Sequence, residues 1–201
     1  MTVKRLKSKE RKAQIIEVTL QLIAEHGVTG TTLSRIAGTI GVTTPALYAH
    51  FSSRRDILLA ALDTLVSRRT AHHQLCREGS AVDRLRQIGA QHAALASSPH
   101  DKSVLALFEF IAAPPNEGLR EALAEKHLLL VDDIADVVRQ GQDEGSIDDN
   151  ADPHLVAWMI VSRAWTEDIA YLMGVTHEWN ERRSNQMLDL ILGSITTPDQ
   201  T

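Results

Sequence analysis

The chain has 201 residues, of which 43% are hydrophobic and only 4% aromatic, so it can bury a core as one large or two small domains. Its single cysteine, Cys76, excludes an intrachain disulfide and a zinc site built on thiolates. Residues 1–55 carry nine Lys or Arg against three acids, whereas residues 56–201 carry 12 against 23. A basic first quarter suits phosphate neutralisation, and a solvated basic tail is the alternative for residues 1–12 alone.

Helical patterning dominates the chain, because apolar residues recur three or four positions apart and period-2 clusters of β-branched residues are absent. We therefore predict an all-α fold, with a first helix over residues 9–26 that Ser8 caps and Gly27 ends. Glu17 and Glu25 interrupt the apolar positions of this helix, so it is predicted to be neither a signal peptide nor a membrane span. We expect a soluble cytoplasmic protein with no membrane partner.

The pattern between residues 31 and 51 predicts a helix, a tight turn and a second helix. Thr31 or Thr32 caps the first of these helices, and Gly41 permits the left-handed backbone on which it can stop. Thr43 is predicted to cap the second, and Pro45 suits its first turn. The apolar positions are Leu33, Ile36, Ala37, Ile40, Val42, Leu47 and Phe51. This arrangement is typical of the helix-turn-helix motif, in which the second helix enters the major groove of DNA.

Residues 10–59 resemble the DNA-binding domain of the tetracycline-repressor (TetR) family of transcription regulators. The residues that carry the resemblance are Gly27, Thr31, Thr32, Leu33, Ile36, Ala37, Gly41, Val42, Leu47, Tyr48, His50, Phe51, Arg54, Ile57 and Leu58. The family typically has lysine at the position of Arg54 and often a polar residue at that of Ala46. The resemblance implies a three-helix DNA-binding domain over residues 1–55 and a helical ligand-binding and dimerisation domain over residues 56–201.

The exposed side of the second helix of the motif supplies the predicted DNA contacts. We expect Thr44, Pro45 and Ala46 to read base edges in the major groove. The side chains expected to hold phosphates are those of Thr32, Tyr48, His50, Arg54 and Arg55, and Thr43 lies on the same side. Structural roles remain open: either arginine could pair with Asp56, the histidine could cap carbonyls, and the tyrosine could belong to the core.

Six further helices are predicted beyond the motif. Their ranges are residues 54–77, 81–96, 98–114, 117–140, 153–173 and 177–192. Capping signals support two of these starts, Ser80 with Asp83 and Asp152 with Pro153. The helix over residues 98–114 is apolar nearly all round and is expected to be buried, so its Glu109 would contact a ligand or pair with an arginine.

Two sets of residues in the C-terminal part are candidates for contacts with a small molecule and with a second copy of the chain. The candidate pocket residues are Leu105, Phe108, Glu109, His127, Trp158 and Trp165, although core residues have the same spacing. The last two helices carry a coiled-coil-like apolar pattern, and the resemblance implies that they form a dimer interface. The candidate interface residues are Trp158, Trp165, Met187, Leu190 and Ile191. An ordinary core within one chain is the alternative for the two tryptophans.

The resemblance implies a homodimeric transcriptional regulator that binds a palindromic operator in double-stranded DNA. We expect a repressor that a small-molecule inducer releases from the operator, with no cofactor and no metal. Control by a protein partner is the first alternative. A helical enzyme is the second, but the nine histidines do not cluster, and HExxH, G-x-S-x-G and Walker phosphate-loop signatures are absent from the sequence. No catalytic residue is therefore assigned.

Overall fold

The computed structural model describes residues 8–71, 78–96 and 103–197, and within these ranges it contains nine α-helices and no β-strand. The helices are α1 (Ser8–Gly30), α2 (Leu33–Ile40), α3 (Thr44–Tyr48), α4 (Arg54–Thr70), α5 (Ala81–Ala96), α6 (Ser103–Ile111), α7 (Leu119–Asp143), α8 (Pro153–Leu172) and α9 (Glu181–Gly193). A short 3-10 helix, Pro115–Glu117, precedes α7. The all-α prediction is confirmed.

The described residues form two compact units. Unit 1 contains residues 8–68 and 103–125, and unit 2 contains residues 69–71, 78–96 and 126–197. Helices α4 and α7 therefore contribute residues to both units. The helix-turn-helix lies wholly in unit 1, and α6 belongs to the same unit. The domain boundary that the resemblance implies, at residue 55, would instead assign α6 to the C-terminal domain.

In unit 1, α1 breaks at Gly27, where φ is 71° and ψ is 171°. This backbone region is essentially restricted to glycine. The helix predicted to end at Gly27 therefore does change direction there, but one further turn carries the chain on to Gly30. Helices α1 to α4 enclose a core whose buried members are Ile15, Leu22, Ile36, Ala37, Leu47 and Ile57.

Helix α6 packs on α1 within unit 1. Val104, Leu107 and Phe110 are buried, but Leu105 is 39% and Ile111 is 37% exposed. The prediction that this helix is buried therefore holds for one side of it only. The predicted end of the helix over residues 54–77 and the predicted start of the helix over residues 98–114 lie outside the described residues.

Unit 2 is built around a second apolar core. Helices α5, α8 and α9 pack on one another, and α7 adds a further apolar side to the same core. Its largest aliphatic members are Val82, Leu85, Val131, Ile134, Val138, Ile147, Val156, Ile160, Val161, Leu188, Ile191, Leu192 and Ile195. Burial of these side chains removes apolar surface from water, which supplies the main favourable free energy of a helical unit of this size.

Local capping explains where α5, α7, α8 and α9 begin. The N–H of Asp83 donates to Ser80 Oγ at 3.2 Å, and the N–H of Ser80 donates to the Asp83 carboxylate at 3.1 Å, so α5 begins where predicted. Asp152 caps α8 as predicted. The start of α7 follows Gly118, whose φ is 63°, and α9 starts at 181 rather than 177 because the Asn180 side chain caps it.

Candidate functional site

Caps and a backbone turn fix the helix-turn-helix. Thr32 Oγ1 accepts the N–H of Arg35 at 3.2 Å, which confirms Thr32 as the cap of α2. Gly41 has a φ of 71°, and the N–H of Val42 donates to Ala37 O at 2.9 Å. The last free carbonyls of α2 thus accept hydrogen bonds from the turn, and α2 ends at Gly41 as the sequence predicted.

Helix α3 has one buried side and one open side. Leu47 is 1% exposed and anchors the helix in the core. The exposed residues are Thr43, Pro45, Ala46 and Tyr48, the last at 53%, and Thr44 is half-buried. The open side therefore presents short polar and methyl-bearing side chains together with one aromatic hydroxyl.

The hydroxyl of Thr43 does not cap α3, so this detail of the prediction is wrong. Its backbone does occupy the cap position, and its carbonyl accepts the N–H of Ala46 at 2.9 Å. Pro45 has no N–H to offer, so the two donors that a capping hydroxyl usually binds are missing or already used. The Thr43 side chain is exposed instead.

The first turns of α1 lie beside the end of α3. Ser8 Oγ is 3.5 Å from His50 Nδ1, and Lys12 Nζ is 5.5 Å from the centroid of the Phe51 ring. Lys9 and Lys12 are exposed. The sequence predicted a basic excess in this region but not the place of Lys12, which joins His50 as a candidate phosphate contact.

Arg54 is engaged inside unit 1. Its Nε donates to Thr31 O at 2.8 Å, its Nη1 donates to Glu117 Oε1 at 2.5 Å, and its Nη2 donates to Val28 O. The side chain is 24% exposed. These partners, two backbone carbonyls and a carboxylate 63 residues away, were not predicted from the sequence. Arg55 is exposed and donates through Nε to Glu117 O at 2.8 Å.

Glu109 meets a backbone N–H in unit 1. The N–H of Val28 donates to Glu109 Oε2 at 3.3 Å. The carboxylate thus binds the α1–α2 junction rather than the arginine that the sequence suggested as one partner. A Cβ atom on Gly27 would lie 2.6 Å from the same carboxylate oxygen, so the approach of Glu109 is a second reason for glycine at this position.

The six candidate pocket residues are divided between the two units. Leu105, Phe108 and Glu109 lie in unit 1, whereas His127, Trp158 and Trp165 lie in unit 2. The ring centroid of His127 is 5.4 Å from that of Trp158 and 5.5 Å from that of Trp165. Burial lowers the pKa of His127, which favours its neutral ring. These three rings can hold an apolar or cationic group.

Unit 2 also contains a buried charged network that sequence reasoning missed. Its members are Arg69 of α4, His92 of α5, Arg163, Glu167 and Asp168 of α8, and Ser184 of α9. Arg163 is 0%, Glu167 5% and Asp168 3% exposed. The available signal was the spacing of Arg163 and Glu167, an i,i+4 ion pair within a largely apolar helix.

One half of the network surrounds Arg163. Its Nη1 donates to Glu167 and to Ser184 Oγ, and its Nη2 donates to Gly89 O at 2.8 Å. A Cβ atom on Gly89 would lie 2.9 Å from that Nη2 and 2.5 Å from a methyl group of Leu188. Burial lowers the pKa of Arg163, while the charge of Glu167 acts in the opposite direction.

The other half joins α4 to α8 through a histidine. Arg69 Nη2 donates to both carboxylate oxygens of Asp168, at 2.7 and 2.6 Å, and lies 3.3 Å from His92 Nε2. His92 Nδ1 lies 2.6 Å from Glu167 Oε2. Burial raises the pKa of Asp168, although Arg69 acts against it.

The candidate interface residues differ in exposure. Leu190 is 75% and Trp158 is 44% exposed, and Met187 and Trp165 are half-buried. Ile191 is 4% exposed and belongs to the core of unit 2, so it has little surface for a second chain. Three further apolar residues are exposed here, Leu155 and Ile169 of α8 and Met173, which caps its C-terminus.

The described residues form neither a metal site nor a membrane-spanning helix. No group of three or more His, Cys, Asp or Glu side chains there is arranged to hold a metal ion. No helix in those ranges is long and apolar enough to span a bilayer. Cys76 lies outside the described residues.

Known proteins share both the motif and the fold. Residues 15–61 match the family model of bacterial regulatory proteins, tetR family. The HTH-type transcriptional regulator TtgR of Pseudomonas putida is 29% identical over 136 residues, which cover 67% of this chain and 59% of TtgR. The chain thus spans about three-fifths of the length of this curated relative.

Solved structures extend the likeness over nearly the whole chain. A TetR transcription regulator from Haloarcula marismortui is 20% identical with a TM-score of 0.79, and the match covers 94% of this chain and all of that one, at 100%. A protein from Saccharomonospora viridis, solved in complex with choline, is 22% identical with a TM-score of 0.73, over 94% of this chain and 100% of that one. These likenesses establish the fold.

Proposed function

The chain belongs to the tetR family of bacterial regulatory proteins, and on that premise we propose that it is a transcriptional regulator that binds double-stranded DNA through α3. The observation that carries the proposal is the exposed side of α3. Leu47 anchors the opposite side of this helix in the core, and the turn at Gly41 connects it to α2. Short polar and methyl-bearing side chains on such a helix suit base edges in the major groove.

The proposed contacts fall into two classes. Thr44, Pro45 and Ala46 meet base edges, with Thr43 beside them. The phosphate contacts are Thr32, Tyr48, His50, Arg55 and Lys12. Phosphate contacts position the protein and supply most of the salt dependence, whereas base contacts supply sequence preference.

Selection of duplexes from a randomised pool tests this proposal. We expect a palindromic site whose affinity falls roughly 10³- to 10⁵-fold between about 50 and 200 mM salt if two subunits engage about 6 to 10 phosphates. Thr44→Ala should change the preference among site variants by about 1 to 3 kcal/mol per lost base contact. Tyr48→Phe, which removes only the hydroxyl, should weaken all sequences alike. Enrichment of no sequence would remove the proposal.

We propose that the DNA-binding form is a homodimer built on the open sides of α8 and α9. A five-residue α3 can read only a few base pairs, and a two-fold pair over a palindrome is the usual remedy. Leu190, Trp158, Leu155, Ile169 and Met173 supply exposed apolar surface of the kind that an interface buries.

Charge substitution tests the interface. Leu190→Glu would place two like charges in one two-fold contact, so we expect monomers at micromolar concentration in a sedimentation experiment. Leu129→Glu is the matched control, because Leu129 is also exposed, at 58%, but lies on α7. Monomers with the control and dimers with Leu190→Glu would move the interface to α7.

A repressor that a small molecule releases from DNA is the finer form of the proposal. The rings of His127, Trp158 and Trp165 support it, because aromatic faces bind organic cations, and a relative of the same fold was solved with choline. Titration of quaternary ammonium compounds against tryptophan fluorescence, with and without the selected duplex, tests it. If a compound is the inducer, bound DNA must weaken its affinity for the protein by the same factor by which the bound compound weakens the affinity for DNA.

A further inference from the structure

The backbone N–H and carbonyl of Val28 are both bound by side chains distant in sequence. Its carbonyl accepts from Arg54 Nη2, and its N–H donates to Glu109 Oε2 at 3.3 Å. Arg54 is held in turn by Glu117, with Nη1 to Oε1 at 2.5 Å. Both carboxylates come from the segment that contains α6 and the following 3-10 helix, so this segment fastens the end of α1.

These hydrogen bonds to Val28 lie where α1 passes into α2. Carbonyls at the end of a helix lack partners in the helix, and a cation there is favoured by the helix dipole. Arg54 supplies this cation to Val28 and also donates to Thr31 O at 2.8 Å. The next residue, Thr32, caps α2. The position of α2 therefore follows from the position of the Thr31 carbonyl.

The position of α2 in turn determines that of α3 through the core of unit 1. Ile36 and Ala37 of α2 pack with Leu47 of α3, and each is at most 3% exposed. A close-packed core transmits a displacement of α2 to α3 rather than absorbing it. A binding helix must be held within about 0.5 Å of its productive geometry to keep specific contacts.

We propose that Glu117 and Arg54, with Glu109, are positioning residues that set the angle of α3, and that Arg54 acts through the α1–α2 junction rather than on a DNA phosphate. The proposal rests on the DNA-binding function proposed above. Its basis is that all three guanidinium nitrogens of Arg54 are directed to acceptors within unit 1, with the Arg54 and Glu117 side chains only 24% and 18% exposed.

A direct phosphate role for Arg54 makes the opposite predictions. If Glu117 merely competed with DNA for the guanidinium, its removal would free Arg54 and strengthen binding to every sequence. If Glu117 positions the junction, its removal weakens binding to the preferred sequence alone. Binding to a scrambled duplex depends on charge and not on the angle of α3.

The experiment compares the duplex selected by the wild-type protein with a scrambled duplex of equal length. For Glu117→Ala we expect about tenfold weaker binding to the selected duplex, the size of one lost charge-assisted hydrogen bond. The salt slope should not change, since no phosphate contact is lost. Glu121→Ala is the matched control: it removes the same charge from an exposed position four residues away, and it should leave the preference for the selected duplex intact.

Arg54→Lys supplies the second arm. Lysine keeps the charge but lacks the fork that reaches three acceptors, so preference for the selected duplex should fall, and combination with Glu117→Ala should add little. A phosphate contact would instead tolerate lysine well. Thermal unfolding of each variant fixes a temperature at which it is folded, and if Glu117→Ala does not fold, Arg54→Lys carries the test alone.

The outcomes separate the two proposals. Unchanged or stronger binding of Glu117→Ala to the selected duplex, beyond the change in Glu121→Ala, overturns the positioning role. A wild-type protein that selects no duplex overturns the proposed function instead. In that case amide hydrogen exchange still tests whether Glu117 stabilises the α1–α2 junction. Glu117→Ala should lower the protection of the Val28 and Thr31 amides, and unchanged protection overturns the positioning role.

Discussion

Units 1 and 2 use charged side chains in different ways. In unit 1, Arg54 and Glu109 bind backbone groups at a helix junction, and the Arg54 side chain stays partly exposed. In unit 2, Arg163, Glu167 and Asp168 are almost fully buried and bind mainly one another and their polar neighbours. A charged side chain can thus fix a local backbone geometry at low desolvation cost, whereas a buried network is stable only while it is complete.

The largest effect should come from breaking the buried network. Glu167→Ala leaves Arg163 buried without its carboxylate, so we expect a loss of about 3 to 5 kcal/mol in the free energy of unfolding of unit 2. All three tryptophans, Trp158, Trp165 and Trp179, lie in unit 2, so their fluorescence during urea unfolding reports on this unit.

Replacing the whole Arg163 half is the control for this variant. The combination of Arg163→Met, Glu167→Leu and Ser184→Ala removes the charges together and should be far less destabilising than Glu167→Ala alone. If the combination were the more destabilising of the two, the network would contribute net stability and the contrast between the units would disappear.

The next effect concerns the junction in unit 1. Gly27→Ala forces an L-residue into a region where φ is 71° and ψ is 171°, and its Cβ would lie 2.6 Å from the Glu109 carboxylate. We expect a loss of about 2 to 3 kcal/mol, measured by amide exchange of α1 and α2. Gly38→Ala is the matched control in α2, where a Cβ meets nothing within 4 Å, and it should stabilise by about 0.5 to 1 kcal/mol.

The stability of unit 2 should also depend on pH through Asp168. Burial raises the pKa of Asp168, so the folded state holds this proton more tightly than the unfolded state does. Its contribution to stability is therefore greatest below about pH 4, the unfolded value, and declines as pH rises through the folded pKa. The stability of the wild-type protein minus that of Asp168→Asn should fall between pH 4 and 8. A rise would mean that Arg69, which lowers the pKa of Asp168, has a larger effect than burial, which raises it.

The smallest effect is expected at the surface of unit 1. Arg68 binds Glu17 with both side chains more than half exposed, and its hydrogen bond lowers the pKa of the Glu17 carboxyl. Exposed pairs of this kind contribute about 0 to 1 kcal/mol, so Arg68→Ala should change stability by less than 1 kcal/mol at 150 mM salt. A loss comparable to that of Glu167→Ala would contradict the ranking by burial.

Local signals account for what the sequence predicted well. Ser80 with Asp83 and Asp152 before Pro153 satisfy backbone groups within three residues, so their information is contained in the segment itself. The helix-turn-helix was predictable for the same reason, since Gly41 closes the turn with bonds to its own helix. Apolar periodicity then sufficed for the all-α fold.

Contacts between distant segments account for what was not predicted. Glu117 meets Arg54 across 63 residues and Arg69 meets Asp168 across 99, and no local pattern encodes such pairs. Hydrophobic periodicity also identified Ile191 as apolar without telling its core position from an interface position. The identity of the side chain that occupies a site is local information, whereas the identity of its partner depends on the whole fold.

Gly89 has a consequence for the history of the family. It lies inside α5, where alanine would favour the helix, yet any side chain there would collide with Leu188 and approach Arg163 within 2.9 Å. Relatives that keep an arginine at position 163 and a leucine at position 188 should therefore keep glycine at 89, and a side chain at 89 is expected only where both of these have changed. Such paired substitutions would date the gain or loss of the buried network on a phylogenetic tree.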